Sequence, residues 1–305
     1  MAGLARELGF EQTVPRRLVH RSAVAEVFLT DSRAAGPGRY LVAAQLPPRH
    51  GYYGDCPAGV DPLLLLECCR QAGIYGAYRH LGLPDDTTFL VGELSLGLTE
   101  PAGPAACARP AALYLLVSVT GGRRTLRYAV HLWLGGRPIG TAGIVVTRMD
   151  QPAYEALRRF QRGDAPPRSA AMAGRRWPGA VPPERVGRRD PANVVLASAR
   201  RSGGELCAEL APRFDNGSLF DHSYDHYPAM VVLEAARQVA LLAAGAGARL
   251  RAVAGRFSAV LELDRPVLAG TASAGSPVEV AFTQADRVAA NVTVHLEAAG
   301  LGGAG

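Results

Sequence analysis

Residues 63–73 read LLLLECCRQAG, and residues 230–240 read MVVLEAARQVA. Laid on each other, Glu67, Arg70 and Gln71 fall on Glu234, Arg237 and Gln238 at one offset, 234 − 67 = 237 − 70 = 238 − 71 = 167. The same offset carries Val19, Arg21, Val27, Leu29 and Arg33 onto Val186, Arg188, Val194, Leu196 and Arg200. Separate stretches that share one register mean two copies of one folding unit, whereas a solenoid needs several shorter copies. The residues kept in both copies are polar ones in the middle of an oily segment, which draws attention to them as chemistry.

Around the first copy, Ala23–Asp31 and Tyr40–Leu46 read as strands joined by the turn AAGPGR. Asp61 reads as a helix N-cap with Pro62 at the first helical position, and the helix is expected to run to about His80. Four leucines open it, so its N-terminal half is apolar on every side and belongs in a core. Strands are expected near Phe89–Leu98, Ala112–Val119, Thr125–Leu134 and Ile139–Thr147, the last two forming a hairpin at Gly135–Gly136. A short helix fits Gln151–Arg162, followed by a Pro-, Gly- and Arg-rich linker. The second copy repeats the order: strands near Asn193–Arg201 and Glu205–Ala211, a helix from Pro228 to about Ala244, then strands near Ala252–Leu263, Val278–Phe282 and Val288–Leu296. The expected organisation is an N-terminal domain over 15–150, a linker over 151–185 and a C-terminal domain over 186–300. The fold class is α+β, a tandem (double) hotdog in which each antiparallel sheet wraps round a central helix.

Composition narrows the chemistry. All 33 basic residues are arginine, so no Schiff-base or P-loop lysine exists, and the chain has no GxSxG elbow. The net charge of +6 suits acidic partners, such as a phosphorylated substrate or an acidic carrier protein. The arginines are scattered without an aromatic-interleaved strip, which argues against nucleic acid. No apolar run approaches the roughly 20 residues that span a bilayer. The N-terminus lacks a signal layout, so a cytoplasmic protein is expected. Five cysteines (Cys56, Cys68, Cys69, Cys107 and Cys207) without CxxC spacing fit neither a disulfide framework nor a zinc knuckle.

At spacings of three and four, Glu67, Arg70 and Gln71 share one helix face, as do Glu234, Arg237 and Gln238. A buried carboxylate needs a donor beside it, so each set is either a structural clamp or a catalytic constellation. The loops before the helices add Arg49, His50, Tyr52, Tyr53 and Asp55 in the first copy, and Asp221, His222, Asp225 and His226 in the second. Such loops can bring base, acid and donor to a cleft, or their aspartates can make turn hydrogen bonds only. His222 and His226 have HxxxH spacing, but no third ligand suggests a metal, and no cofactor is expected.

With these motifs in view, DPLLLLECCRQAGIY after RHGYYGD, and FDHSYDHYPAMVVLEAARQ in the second copy, resemble the A-factor biosynthesis family of actinobacteria. The resemblance covers both repeats, roughly 17–99 and 186–263, in the expected order. It implies a tandem-hotdog acyltransferase that moves a β-ketoacyl group from acyl carrier protein to a hydroxyl of dihydroxyacetone phosphate, in the making of γ-butyrolactone-type autoregulators. It carries catalytic roles to Glu67, Glu234 and Arg237, with Arg70, Gln71 and Gln238 behind them as substrate-binding positions; the loop residues Asp55, His50, Asp221, His222 and His226 are also expected to bind substrate. The implied partners are the loaded carrier protein and dihydroxyacetone phosphate; a homo-oligomer stays open. Two rivals remain: a hotdog dehydratase or thioesterase of a polyketide pathway, and a non-catalytic module that binds an acyl-derived ligand. The loops differ between copies, since His50 has Gly217 as its ungapped equivalent and His222 and His226 have no clear partners in the first copy.

Overall fold

The computed structural model describes residues 6–56, 59–99, 109–245, 247–272 and 275–298. Packing divides the chain into two compact units: Met1–Tyr53 with Gly59–Pro166, and Gly54–Ala58 with Pro167–Gly305. The segment expected to be a linker is thus shared. Its helix, Gln151–Arg162, belongs to the first unit and is capped by the Asp150 side chain, while residues 167–185 go with the second.

In the first unit, β1 (Leu29–Ala34), β2 (Arg39–Leu46), α1 (Pro62–Arg79), β3 (Thr87–Leu98), β4 (Ala111–Gly121), β5 (Thr125–Leu134), β6 (Arg137–Asp150) and α2 (Gln151–Arg162) follow in order. The sheet runs β1-β2-β4-β5-β6-β3, antiparallel throughout. In the second, β7 (Leu196–Ser202), β8 (Glu205–Leu210), α3 (Ala229–Ala244), β9 (Ala248–Phe257), β10 (Leu268–Thr271), β11 (Val278–Gln284) and β12 (Arg287–Ala298) make the sheet β7-β8-β10-β11-β12-β9. Numbering strands within each unit gives 1-2-4-5-6-3 twice. The repeat seen in the sequence is therefore a repeat of topology.

Each central helix packs against the strands of its own sheet. Asp61 caps α1 by accepting from the Leu63 N–H, with Pro62 in the first turn where its missing N–H costs nothing. Nearly every side chain from Leu63 to Ala77 is buried; Arg70 is the exception. Gly76 permits that close approach, because the Tyr40 ring occupies the space a Cβ would fill and its hydroxyl donates to the Ala72 carbonyl at 3.2 Å. The tight Gly135–Gly136 turn puts both residues at positive φ, 58° and 80°.

Both first strands begin later than the pattern suggests, at Leu29 and Leu196 rather than Ala23 and Asn193. The backbone ahead of them is 3₁₀ (Val24–Glu26 and Pro191–Asn193); just after each turn the Phe28 and Val195 N–H groups bond to a helix amide, while their carbonyls accept from Gln45 and Ala211. The strand expected over Ala252–Leu263 is displaced to Ala248–Phe257, and β10 was not anticipated. Among the described residues no helix is long and apolar enough to cross a membrane. Cys56, Cys68, Cys69 and Cys207 are free thiols, and Cys107 lies outside the described residues.

Candidate functional site

Two copies of one polar knot sit inside these cores. In the first unit, Glu67 is fully buried and collects three side chains. Arg70 grips it bidentately, Nε to Oε2 and Nη2 to Oε1, both at 2.8 Å. Arg21 reaches Oε1 from the segment just ahead of the Val24–Glu26 turn, and Gln71 donates to the same oxygen at 2.8 Å. Gln71 also donates to the Glu26 carbonyl at 2.8 Å and accepts from the Phe28 N–H at 3.1 Å. One amide side chain thus stitches the helix to the segment that precedes β1.

The second knot reproduces the first at the same offset. Arg188 places Nε 3.0 Å from Glu234 Oε1 and Nη2 3.0 Å from Oε2, while Arg237 and Gln238 both donate to the carboxylate at 2.5 Å. Gln238 donates to the Asn193 carbonyl and accepts from the Val195 N–H, both at 3.0 Å. Each backbone partner is the +167 copy of its counterpart, 193 − 26 = 195 − 28 = 167. Glu67, Arg70 and Gln71 therefore meet as expected, and so do Glu234, Arg237 and Gln238. Arg21 and Arg188 complete the knots but were not singled out as site residues. They lie 46 residues before their glutamates, and only their shared register pointed to them.

Burial alone would push the Glu67 carboxyl up, but Arg21 and Arg70 outweigh it and hold it at about 2. Glu234 is lowered by the same balance, with Arg188 and Arg237 overcoming desolvation. Both groups are carboxylates saturated with donors, which makes each a strong holder of guanidinium and a weak acceptor of protons.

The loops differ. His50 accepts at Nδ1 from the Tyr52 and Tyr53 N–H groups, both at 3.2 Å, so the ring proton sits on Nε2, 3.3 Å from Glu26 Oε1. The ring is enclosed by Phe28 and Tyr53. Asp55 does not join it. It packs in the second unit, where Oδ1 accepts from the Arg189 and Asp190 N–H groups at 3.0 and 3.2 Å and Oδ2 from the Asn193 amide at 3.0 Å. In the second loop, Asp221 Oδ2 lies 3.6 Å from His222 Nδ1, and the His222 ring lies tilted against Tyr224 with centroids 4.0 Å apart. His226 Nδ1 lies 2.6 Å from Asp225 Oδ1.

Comparison with known proteins follows the same duplication. The description "A-factor biosynthesis hotdog domain" matches residues 4–150 and 170–299. A 2-oxo-3-(phosphooxy)propyl 3-oxoalkanoate synthase of Streptomyces virginiae is 36% identical over 261 residues, 83% of this chain and 85% of the relative. A protein of the same name from Streptomyces coelicolor is 31% identical over 276 residues, 84% and 82% of the two chains. Among solved structures, the dehydratase domain from the CurK module of the curacin polyketide synthase aligns with a TM-score of 0.52 at 9% identity, over 89% of this chain and 96% of that one. The 12:0-ACP thioesterase of Umbellularia californica gives 0.51 at 10% identity, over 87% and 100%. These two share the hotdog fold and little else at the level of residues. Matched in both halves, the chain belongs to the A-factor biosynthesis hotdog family.

Proposed function

We propose that the protein is an acyltransferase that joins a β-ketoacyl group to a hydroxyl of dihydroxyacetone phosphate, giving the 2-oxo-3-(phosphooxy)propyl 3-oxoalkanoate for which its relatives are named. The acyl donor is a thioester on acyl carrier protein. The observation that carries the reading, beside family membership, is the pair of buried knots that fix an arginine fork on each central helix. A guanidinium whose rotamer is locked by a buried carboxylate is a pre-organised anion binder. It suits a phosphate, or the oxyanion that forms as the hydroxyl attacks the thioester carbonyl.

In this reading Arg237 and Arg70 meet the substrate's negative charge. Glu234 and Glu67 act by orienting those arginines rather than by taking the hydroxyl proton, because their acidity is too high for a base at neutral pH. Gln71 and Gln238 hold each helix to its lead-in. His222 and Asp221 belong to the substrate-contacting loop, and Asp55 and His50 keep their loops in shape through backbone bonds.

The test is direct. The protein is incubated with a β-ketoacyl carrier thioester and dihydroxyacetone phosphate, and the phosphorylated ester is sought by mass spectrometry. Ester formation that depends on both substrates supports the reading. Release of free β-keto acid alone would make the protein a thioesterase, and tight acyl-ligand binding without turnover would make it a binding module.

A further inference from the structure

We propose that His226 is the group that takes and returns the proton in acyl transfer, and that Asp225 and Ser169 are its positioning residues. The inference rests on the acyl-transfer reading and supplies the base that Glu67 and Glu234 cannot provide.

The imidazole is oriented by a carboxylate. Asp225 is 4% exposed, and its Oδ1 lies 2.6 Å from His226 Nδ1. An ionised carboxylate only accepts, so this contact favours the neutral tautomer that carries its proton on Nδ1. The His226 side chain is 27% exposed, against 11% for His50, so its ring is open to solvent on one side.

The loop that carries this pair is pinned on both sides. Ser169, itself 2% exposed, donates its N–H to the Tyr224 carbonyl at 2.8 Å and accepts from the Tyr224 N–H on Oγ at 2.9 Å. One residue thereby closes a reciprocal pair of bonds with the residue immediately before Asp225. On the other side the Tyr227 N–H donates to the Leu261 carbonyl at 3.0 Å, and Pro228 opens α3. Asp225 and His226 are therefore held between two fixed backbone points. Ser169 comes from the stretch between the two repeats, which composition alone presents as a passive connector.

The first copy lacks this device. Aligned on the loop aspartates and helix prolines, 221 − 55 = 228 − 62 = 166, so Asp225 falls on Gly59 and His226 on Val60. The imidazole that the first unit does have, His50, spends Nδ1 on two backbone N–H groups and turns Nε2 to Glu26. Duplication has kept the arginine knots in both units and the oriented imidazole in one.

The step balances without a further reactant. The acceptor hydroxyl attacks the thioester carbonyl as His226 Nε2 removes its proton; the C–O bond forms and the C–S bond breaks. The imidazolium then returns the proton to the departing carrier thiolate, leaving ester and free thiol.

The experiment compares His226→Gln, Asp225→Asn, Ser169→Ala and Ser169→Thr in the full chain. His226→Gln is expected to lower kcat by about 100-fold or more, the usual scale of general-base catalysis, with little change in KM. Asp225→Asn and Ser169→Ala should lower kcat by roughly tenfold, again without a matching rise in KM, and Ser169→Thr should restore it because the hydroxyl returns. Ring ¹⁵N NMR of the wild-type protein should find the neutral imidazole of His226 protonated on Nδ1. Full kcat in His226→Gln, or a neutral ring protonated on Nε2, would overturn the proposal. An unmodified protein that makes no ester would instead sink the acyl-transfer reading, and the NMR measurement, which needs no turnover, would still decide the geometry at Asp225.

Discussion

Replacing Glu67 by Gln tests the first knot with a change of charge and almost none of shape. The carboxyl is held at about 2 against an ordinary 4.5, by two arginines that outweigh the desolvation opposing them. At 1.36 kcal/mol for each tenfold change in acidity, that gap corresponds to about 3 kcal/mol of stabilisation from the ionised form. A second route gives a similar size, since removing one partner from a buried ion pair costs roughly 3–5 kcal/mol. Arg21, with a side chain only 4% exposed, would be left facing an amide. For a unit of this size the expected fall in melting temperature is roughly 6–12 °C near neutral pH. Acid supplies the sharper signature. A carboxyl whose folded value is depressed contributes stability in full above its unfolded value of 4.5, and loses it as pH falls through that value towards about 2. The wild-type protein should therefore lose about 3 kcal/mol more than Glu67→Gln on going from neutral pH to about 2. The assay is a series of urea titrations across that range. Parallel acid limbs for the two proteins, or a neutral-pH loss below about 1 kcal/mol, would refute the claim that Glu67 is ionised and held by Arg21 and Arg70.

The other consequences concern single contacts. Gly76→Ala drives a methyl into the Tyr40 ring and breaks its bond to the Ala72 carbonyl, so a loss of about 1–3 kcal/mol is expected in denaturant titration, and unchanged stability would show that the ring can move aside. Gln238→Leu strands the Asn193 carbonyl and the Val195 N–H in a dry core, at about 1–3 kcal/mol for each group, and amide exchange at Val195 should accelerate markedly; unaltered protection would contradict the stitch. Arg237→Lys keeps the charge and removes the fork, so kcat for ester formation should fall by roughly 100-fold while the melting temperature drops less than in Arg237→Met; equal kcat would remove Arg237 from the chemistry. His50→Gln should cost about 1–2 kcal/mol through the Tyr52 and Tyr53 N–H groups and leave kcat within about threefold of wild type, whereas a hundredfold loss would make the first-unit imidazole catalytic.

Much of the scaffold is legible in the sequence wherever a local rule and a burial pattern agree. Asp61 and Pro62 mark the start of α1 because capping and the missing proline N–H are local physics. The strand Thr125–Leu134 and the helix Gln151–Arg162 are found at the expected positions. Where the reading slips, a distant group is responsible. The segments before Leu29 and Leu196 have the composition of strands, yet Gln71 and Gln238 take the Glu26 and Asn193 carbonyls and the Phe28 and Val195 N–H groups, so a regular ladder does not extend through them. β10 is only four residues long and contains Gly270, which leaves too little pattern to detect. The same limit governs the candidate site. The i, i+3 and i, i+4 members of each knot are visible on one helix face, while Arg21 and Arg188 are joined to them only by the fold.

The duplication also separates what a residue does for folding from what it can do in a reaction. A feature required to fasten a helix inside a sheet is needed wherever that helix occurs, so it should be found in both units with the same partners. The Glu–Arg–Arg–Gln knots meet this condition down to the paired backbone atoms of Glu26 and Asn193 and of Phe28 and Val195. Their recurrence follows from that fastening role and does not by itself assign proton transfer to Glu67 or Glu234; the proposed function draws instead on the way the knots orient Arg70 and Arg237. A feature found once is not required by the shared scaffold. The Asp225–His226 pair, clamped through Ser169, is absent from the aligned positions of the first loop although the helix that follows is retained there. The loops differ over a shared topology, and on the proposal made for Asp225 and His226 proton transfer takes place in the second unit.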